Sequence, residues 1–78
     1  MKVTYEATIG DDNSVSISRD GVWATQGRLD KVCLERNEAH ILDADAPLGD
    51  DVYDALDEAL TEAMERGEDS ASIEVERE

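Results

Sequence analysis

The chain has 78 residues, and we expect residues 1–78 to form a single small domain. Twenty-one acidic residues against seven basic ones give a net charge of −14 at pH 7, which disfavours binding to nucleic acid because phosphates would be repelled. No apolar run approaches the roughly 20 residues of a membrane span, so we expect no membrane association. Residues 1–20 lack the pattern of a signal peptide, and the single cysteine fits a reducing compartment. We therefore expect a cytoplasmic protein.

The acidic composition is accompanied by only two lysines, no phenylalanine and many aspartates among the acids. This composition resembles that of cytosolic proteins from halophilic archaea that accumulate salt, a resemblance of composition and not of family. It implies an acidic, haloarchaeal type of protein whose self-repulsion is screened at molar salt, where the Debye length is about 3 Å. The competing interpretation is an acidic protein that mimics nucleic acid or binds a basic partner.

The negative charge is unevenly divided along the chain. Residues 1–42 carry a net charge of −2, whereas residues 43–78 carry −12. Adaptation to salt alone would acidify every exposed surface. The near-neutral first half therefore indicates a surface that is covered, either by the rest of the fold or by another molecule.

Two strands are predicted near the start of the chain, because apolar and polar residues alternate over residues 2–9 and 14–18. Residues 10–13 have the composition of a turn. The register that keeps apolar residues on one face pairs Ile9 with Val15.

The third predicted strand covers Val22–Gln26, and its register decides the position of Trp23. A two-residue turn at Asp20–Gly21 would pair Ile17 with Ala24 and point Trp23 away from the core. A longer loop would bury the tryptophan opposite Ile17. Burial is the favoured alternative, because a small core needs its largest side chain. An outward Trp23 would mark a binding surface.

A hairpin is predicted for residues 31–35 and 38–43, with Cys33 facing His40 across the two strands. A helix over residues 28–42 is the alternative, but its apolar residues would scatter around the helix axis instead of forming a stripe.

A long helix is predicted between Gly49 and Gly67, because the apolar residues recur with helical period and leave an acidic face opposite. Asp50 or Asp51 is expected to cap its start, and Gly67 to end it. Alternation over residues 70–76 predicts a last strand. The expected fold is α+β, a mostly antiparallel sheet of five to six strands with one amphipathic helix packed on one face, in the order β-β-β-β-β-α-β.

Cys33 and His40 are the one pair in the sequence suited to chemistry. Tetrahedral zinc needs four such ligands, and a nucleophile needs an orienting third group, so two residues suffice for neither. The aspartates also lack the spacing of a calcium-binding loop. We expect no catalytic residue, no metal ligand and no cofactor.

The predicted helix is too narrow to cover the predicted sheet. It is about 10 Å wide, whereas five or six strands span roughly 24–29 Å. We expect a homodimer or another protein partner to cover the remainder, in a protein that is not an enzyme. The alternative is a small-molecule or metal-binding protein that uses the sheet face near Trp23, Cys33 and His40. The second alternative is an acidic mimic of nucleic acid.

Overall fold

The structure is a computed structural model, and it describes residues 1–76. In chain order its elements are β1 (Lys2–Ile9), β2 (Ser14–Arg19), β3 (Val22–Leu29), α1 (Lys31–Glu35), β4 (Ile41–Leu42), α2 (Asp50–Glu65) and β5 (Ser70–Glu76). The strands form one antiparallel sheet in the order β4-β3-β2-β1-β5. The predicted α+β class is confirmed.

Helix α2 packs on one face of the sheet, which we call the inner face. Its apolar stripe is completely buried at Val52, Leu56, Leu60 and Ala63. The stripe belongs to the same hydrophobic core as the inward-pointing residues Val3, Tyr5, Ala7, Val15, Ile17, Leu29 and Ile41. Burying each large aliphatic side chain stabilises the fold by about 1.5–3 kcal/mol. The helix and the inner face therefore depend on each other for stability.

The two ends of α2 are set by glycines. Gly49 is the N-cap residue, so the expectation that Asp50 or Asp51 caps the helix is wrong. These aspartates lie in the first turn, where their charge suits the positive end of the helix dipole. At the other end Gly67 has a φ of +77°, and the amide of Glu68 donates to the carbonyl of Ala63. This arrangement satisfies carbonyls that the last turn leaves unpaired.

The strand pairings at the centre of the sheet follow the apolar pattern. Ile9 pairs with Val15, which confirms the predicted register of β1 and β2. On the other side of β1, Val3 pairs with Val75 and Tyr5 with Ile73, so the apolar residues of β5 also point to the inner face.

The turn between β2 and β3 has two residues, and it points Trp23 away from the core. Asp20 and Gly21 both have positive φ, as a tight hairpin turn requires. The turn pairs Trp23 with Ser18, on the face opposite to α2. A bulge then shifts the register, so that Thr25 rather than Ala24 lies opposite Ile17. The favoured burial of Trp23 is therefore wrong, and its outward alternative is observed.

The hairpin predicted for residues 31–35 and 38–43 is also wrong. Residues 31–35 form the short helix α1, because the Asp30 side chain accepts a hydrogen bond from the amide of Val32 at 2.9 Å and caps the first turn. Only Ile41–Leu42 pairs with β3. A short apolar segment with such a cap forms a helical turn as readily as a strand.

Gly27 permits a close approach between β3 and β4. A Cβ atom at this position would lie 2.6 Å from the carbonyl oxygen of Leu42 and 3.2 Å from a side-chain carbon of Ile41. We expect Gly27→Ala to lower the free energy of unfolding by about 1–3 kcal/mol, because the added methyl group overpacks the contact. Urea denaturation at constant salt measures the change.

Gly10→Ala is the matched control. Its Cβ atom would meet a side-chain oxygen, the Ser14 hydroxyl at 3.0 Å, instead of a backbone carbonyl, and its φ of −105° is open to alanine. Equal stability of the two variants would contradict the close approach at Gly27.

Candidate interaction surface

The face of the sheet opposite to α2, which we call the outer face, is covered with small hydroxyl side chains. Alternation along each strand places these residues there: Thr4, Thr8, Ser14, Ser16, Ser18, Ser70 and Ser72. Thr4, Thr8 and Ser16 are exposed to solvent. Short side chains of this kind allow another backbone to approach closely, and each hydroxyl can both donate and accept a hydrogen bond.

Trp23 is the one large aromatic side chain on this face, and 64% of its surface is exposed. The chain has three aromatic residues in all, and Tyr5 is buried while Tyr53 is partly buried. An exposed tryptophan supplies a large apolar contact area to a partner at low conformational cost. Trp23 is therefore the strongest candidate for a contact residue.

The charges on the outer face nearly cancel. Its strands contribute the bases Lys2 and Arg28 and the acids Glu6, Glu74 and Glu76, a net charge of −1. The Lys2 ammonium also lies 3.9 Å from the Glu74 carboxylate. By contrast α2 alone carries seven acidic residues and no basic one. The acidic coat therefore belongs to the helix side of the fold.

The part of the outer face formed by β2 and β3 can be recognised in the sequence by its lack of charged residues, a pattern that hydrophobic periodicity does not reveal. Residues 21–27 form the longest run without a charged residue, and residues 13–18 form another run of six. The structure pairs these two runs as the hairpin of β2 and β3. In a chain with 36% charged residues, two uncharged runs that share a hairpin mark a distinct surface. Ser16 lies at the centre of this surface, and the sequence interpretation did not single it out.

The structure separates the three residues of the predicted interaction face. Trp23 lies at the turn end of β3, whereas Cys33 and His40 lie beyond its other end, roughly 20 Å away at 3.3 Å per strand residue. Cys33 belongs to α1 and is not a cross-strand neighbour of His40. His40 instead directs Nδ1 to the carboxylate of Asp57 on α2, at 2.9 Å. Trp23 is on the outer face, and His40 is at the helix side.

The surroundings of Cys33 keep its thiol protonated. Partial burial raises the pKa of Cys33, and the neighbouring carboxylate of Asp30 raises this pKa further. A nucleophilic or metal-binding cysteine needs the opposite, a lowered pKa. Within residues 1–76, no group of three or more histidine, cysteine, aspartate or glutamate side chains is arranged to hold a metal ion.

Asp57 and Thr61, one turn apart on α2, hold the segment that leads into β4. The Asp57 carboxylate accepts a hydrogen bond from the amide of Ile41 at 2.9 Å. The Thr61 hydroxyl accepts one from the amide of Ala39 at 2.9 Å and donates to the carbonyl of Asp57. The helical period of the sequence places both residues outside the apolar stripe of α2. Their position beside the apolar stripe is the only sequence signal of this role.

An open groove of about 430 Å³ lies beside this contact, lined in part by His40, Tyr53, Asp54 and Asp57. Tyr53 closes one side, where its hydroxyl donates to the carbonyl of Ala46. Burial raises the pKa of Tyr53, a hydrogen bond with the backbone of Leu48 lowers it, and the charge of Asp45 raises it. The phenol is therefore neutral and serves as a tether for the loop before α2.

No family model matches the chain, and neither a curated protein nor a solved structure is significantly similar to it. In the part of the chain that the structure describes, no helix is both long and apolar enough to cross a membrane.

We expect Asp57→Ala to lower the free energy of unfolding by about 1–3 kcal/mol, because the part-buried amide of Ile41 loses its acceptor. Asp54→Ala, on the exposed face one turn earlier, is the matched control and should change stability by less than about 0.5 kcal/mol. Chemical denaturation compares the two variants. A neutral effect of Asp57→Ala would show that this contact does not hold the segment.

Proposed function

We propose that the chain acts without catalysis, as a small protein-binding module whose outer sheet face is the contact surface. The observation that carries this proposal is Trp23, which is 64% exposed beside the uncharged outer-face residues of β2, on a face whose charges nearly cancel in a protein of net charge −14. The centres of protein–protein interfaces are depleted in charged residues, and tryptophan is enriched among the residues that dominate binding. The outer face combines both properties.

The acidic composition supports the same proposal through the solvent it implies. We propose that the protein works in a cytoplasm of molar salt. At such ionic strength the Debye length is about 3 Å, so exposed charges neither steer nor hold a partner effectively. Recognition then depends on shape, apolar contact and hydrogen bonds between neutral groups. Hydroxyl side chains around one tryptophan provide these interactions, whereas the acidic surface of α2 provides solvation.

The two alternative functions have less support. A small-molecule or metal site near Trp23, Cys33 and His40 would need these residues together, and the strand β3 lies between them. A mimic of nucleic acid would use the acids of α2, but that attraction weakens steeply as salt rises. Binding through the outer face differs from both, because it should persist in molar salt and depend on Trp23.

A capture experiment with matched variants tests the contact surface. The full chain carrying an affinity tag is used as bait in lysate at 2 M KCl, as wild type, as Trp23→Ala, as Ser16→Glu and as Glu58→Gln. We expect the same partner with the wild type and with Glu58→Gln, which changes the exposed face of α2. The two outer-face variants, Trp23→Ala and Ser16→Glu, should capture at least tenfold less partner than the wild type. A tenfold weaker affinity corresponds to about 1.4 kcal/mol of binding free energy.

Equal capture by all four baits would show that the partner binds elsewhere, and loss with Glu58→Gln alone would place the contact on α2. Circular dichroism of each bait confirms that it is folded.

The proposed solvent is tested by the salt dependence of stability. We expect the free energy of unfolding to rise between 0.1 and 2 M KCl, because screening relieves the repulsion among the acids of α2. A variant with Asp54→Asn, Glu58→Gln and Glu62→Gln should show a smaller rise, whereas Glu6→Gln on the outer face should leave most of it. A free energy of unfolding that does not change with salt would contradict the proposal that the protein works in molar salt.

A further inference from the structure

We infer that the partner on the outer face is a second copy of the same chain, packed sheet against sheet about a two-fold axis. This inference rests on the proposed function and names the occupant of that surface. Four properties of the molecule support it: the charge of the two surfaces, the distance between the acidic helices, the available area and the chemistry of the contact.

Charge favours a nearly neutral partner surface. The outer face has a net charge of −1, so it attracts neither a strongly basic nor a strongly acidic surface. A basic partner would instead be drawn to α2 and its seven acids. The outer face of a second copy is a surface of matching charge, and most soluble oligomers are two-fold pairs of identical chains.

Face-to-face packing also keeps the acidic helices apart. Two sheets pack about 10 Å apart, and each α2 lies on the far side of its own sheet, so the helices end up roughly 30 Å from each other. That distance exceeds the Debye length even at physiological salt, about 8 Å. Pairing through the free edge of β5 would instead bring the two α2 helices side by side, because α2 packs on β5 and β1. At ionic strengths below molar salt, repulsion between the helices therefore favours the outer face over the β5 edge.

The area of the face is sufficient for a weak dimer. Its four long strands span roughly 19 Å across and roughly 23 Å along, about 450 Å² per copy. Two copies would bury about 900 Å², which lies in the range of weak, transient interfaces below about 1,200 Å². We therefore expect reversible association in the micromolar range or weaker.

The contact chemistry is suited to such an interface. Ser14, Ser16 and Ser18 alternate along β2, and their hydroxyls can pair across the interface directly or through water. Trp23, at the end of the face, covers part of the second copy. The two-fold axis places each substitution in both chains of the dimer. A charge introduced at the centre of the interface therefore faces the same charge on the second copy.

Sedimentation equilibrium of the purified full chain in 2 M KCl tests the inference over a range of concentrations. The wild type should pass from 8.6 kDa to about twice this mass as the concentration rises. Ser16→Glu places two like charges at the centre of the interface and should weaken association at least tenfold. Trp23→Ala should weaken it in the same direction. Glu58→Gln, on the exposed face of α2, is the control and should associate as the wild type does.

A monomer at all concentrations would overturn this inference. If the chain were a monomer but capture in lysate still depended on Trp23 and Ser16, the proposed function would stand with a different partner. If the chain were a monomer and capture did not depend on these residues, the proposed function would be wrong as well. A dimer that tolerates Ser16→Glu would also overturn the inference, because its interface would lie elsewhere. Urea denaturation of each variant at low concentration separates loss of association from loss of folding.

Discussion

The packing of the α2 stripe against the inner face of the sheet is the constraint on which the rest of the structure depends. Val52, Leu56 and Leu60 are completely buried there, against residues from the strands of the sheet. Within residues 1–76 the long helix is α2, and in this part of the chain one face of the sheet receives such a cover. The strands must therefore point their apolar residues to that side, which leaves serine, threonine and Trp23 on the other.

The distribution of charge follows from the same asymmetry. The helix side faces solvent beyond the core, and α2 there carries seven acidic residues and no basic one. The outer face carries almost no net charge, although it is exposed in the single chain. Solvation alone does not explain a near-neutral surface on such an acidic protein. The proposed contact would account for both the neutrality and the exposed tryptophan, since each would be buried in the complex.

Most of the fold was predictable from periodicity, whereas the contact surface was not. The period of residues 52–64 predicts α2, and the alternation of β1, β2 and β5 predicts their faces and the pairing of Ile9 with Val15. Residues 31–35 form a helix instead of the predicted strand, because one Asp30 cap decides the conformation of a segment too short to show a period. The position of Trp23 depends on a two-residue turn and a bulge, which shift the register by single residues. The hydrogen bonds of Asp57 and Thr61 connect segments distant in sequence, and no local pattern encodes them.

The solvent accessibility of Trp23 tests the central claim most directly, because this residue is the chain's only tryptophan and needs no label. Acrylamide quenching of its fluorescence is measured in 2 M KCl on the dilute chain and again under conditions where light scattering shows a complex. Trp23 should be readily quenched in the dilute chain and at least about twofold less quenched in the complex, as expected for a contact residue at an interface. Equal quenching in the two states would contradict the assignment of the outer face as the surface through which this protein acts.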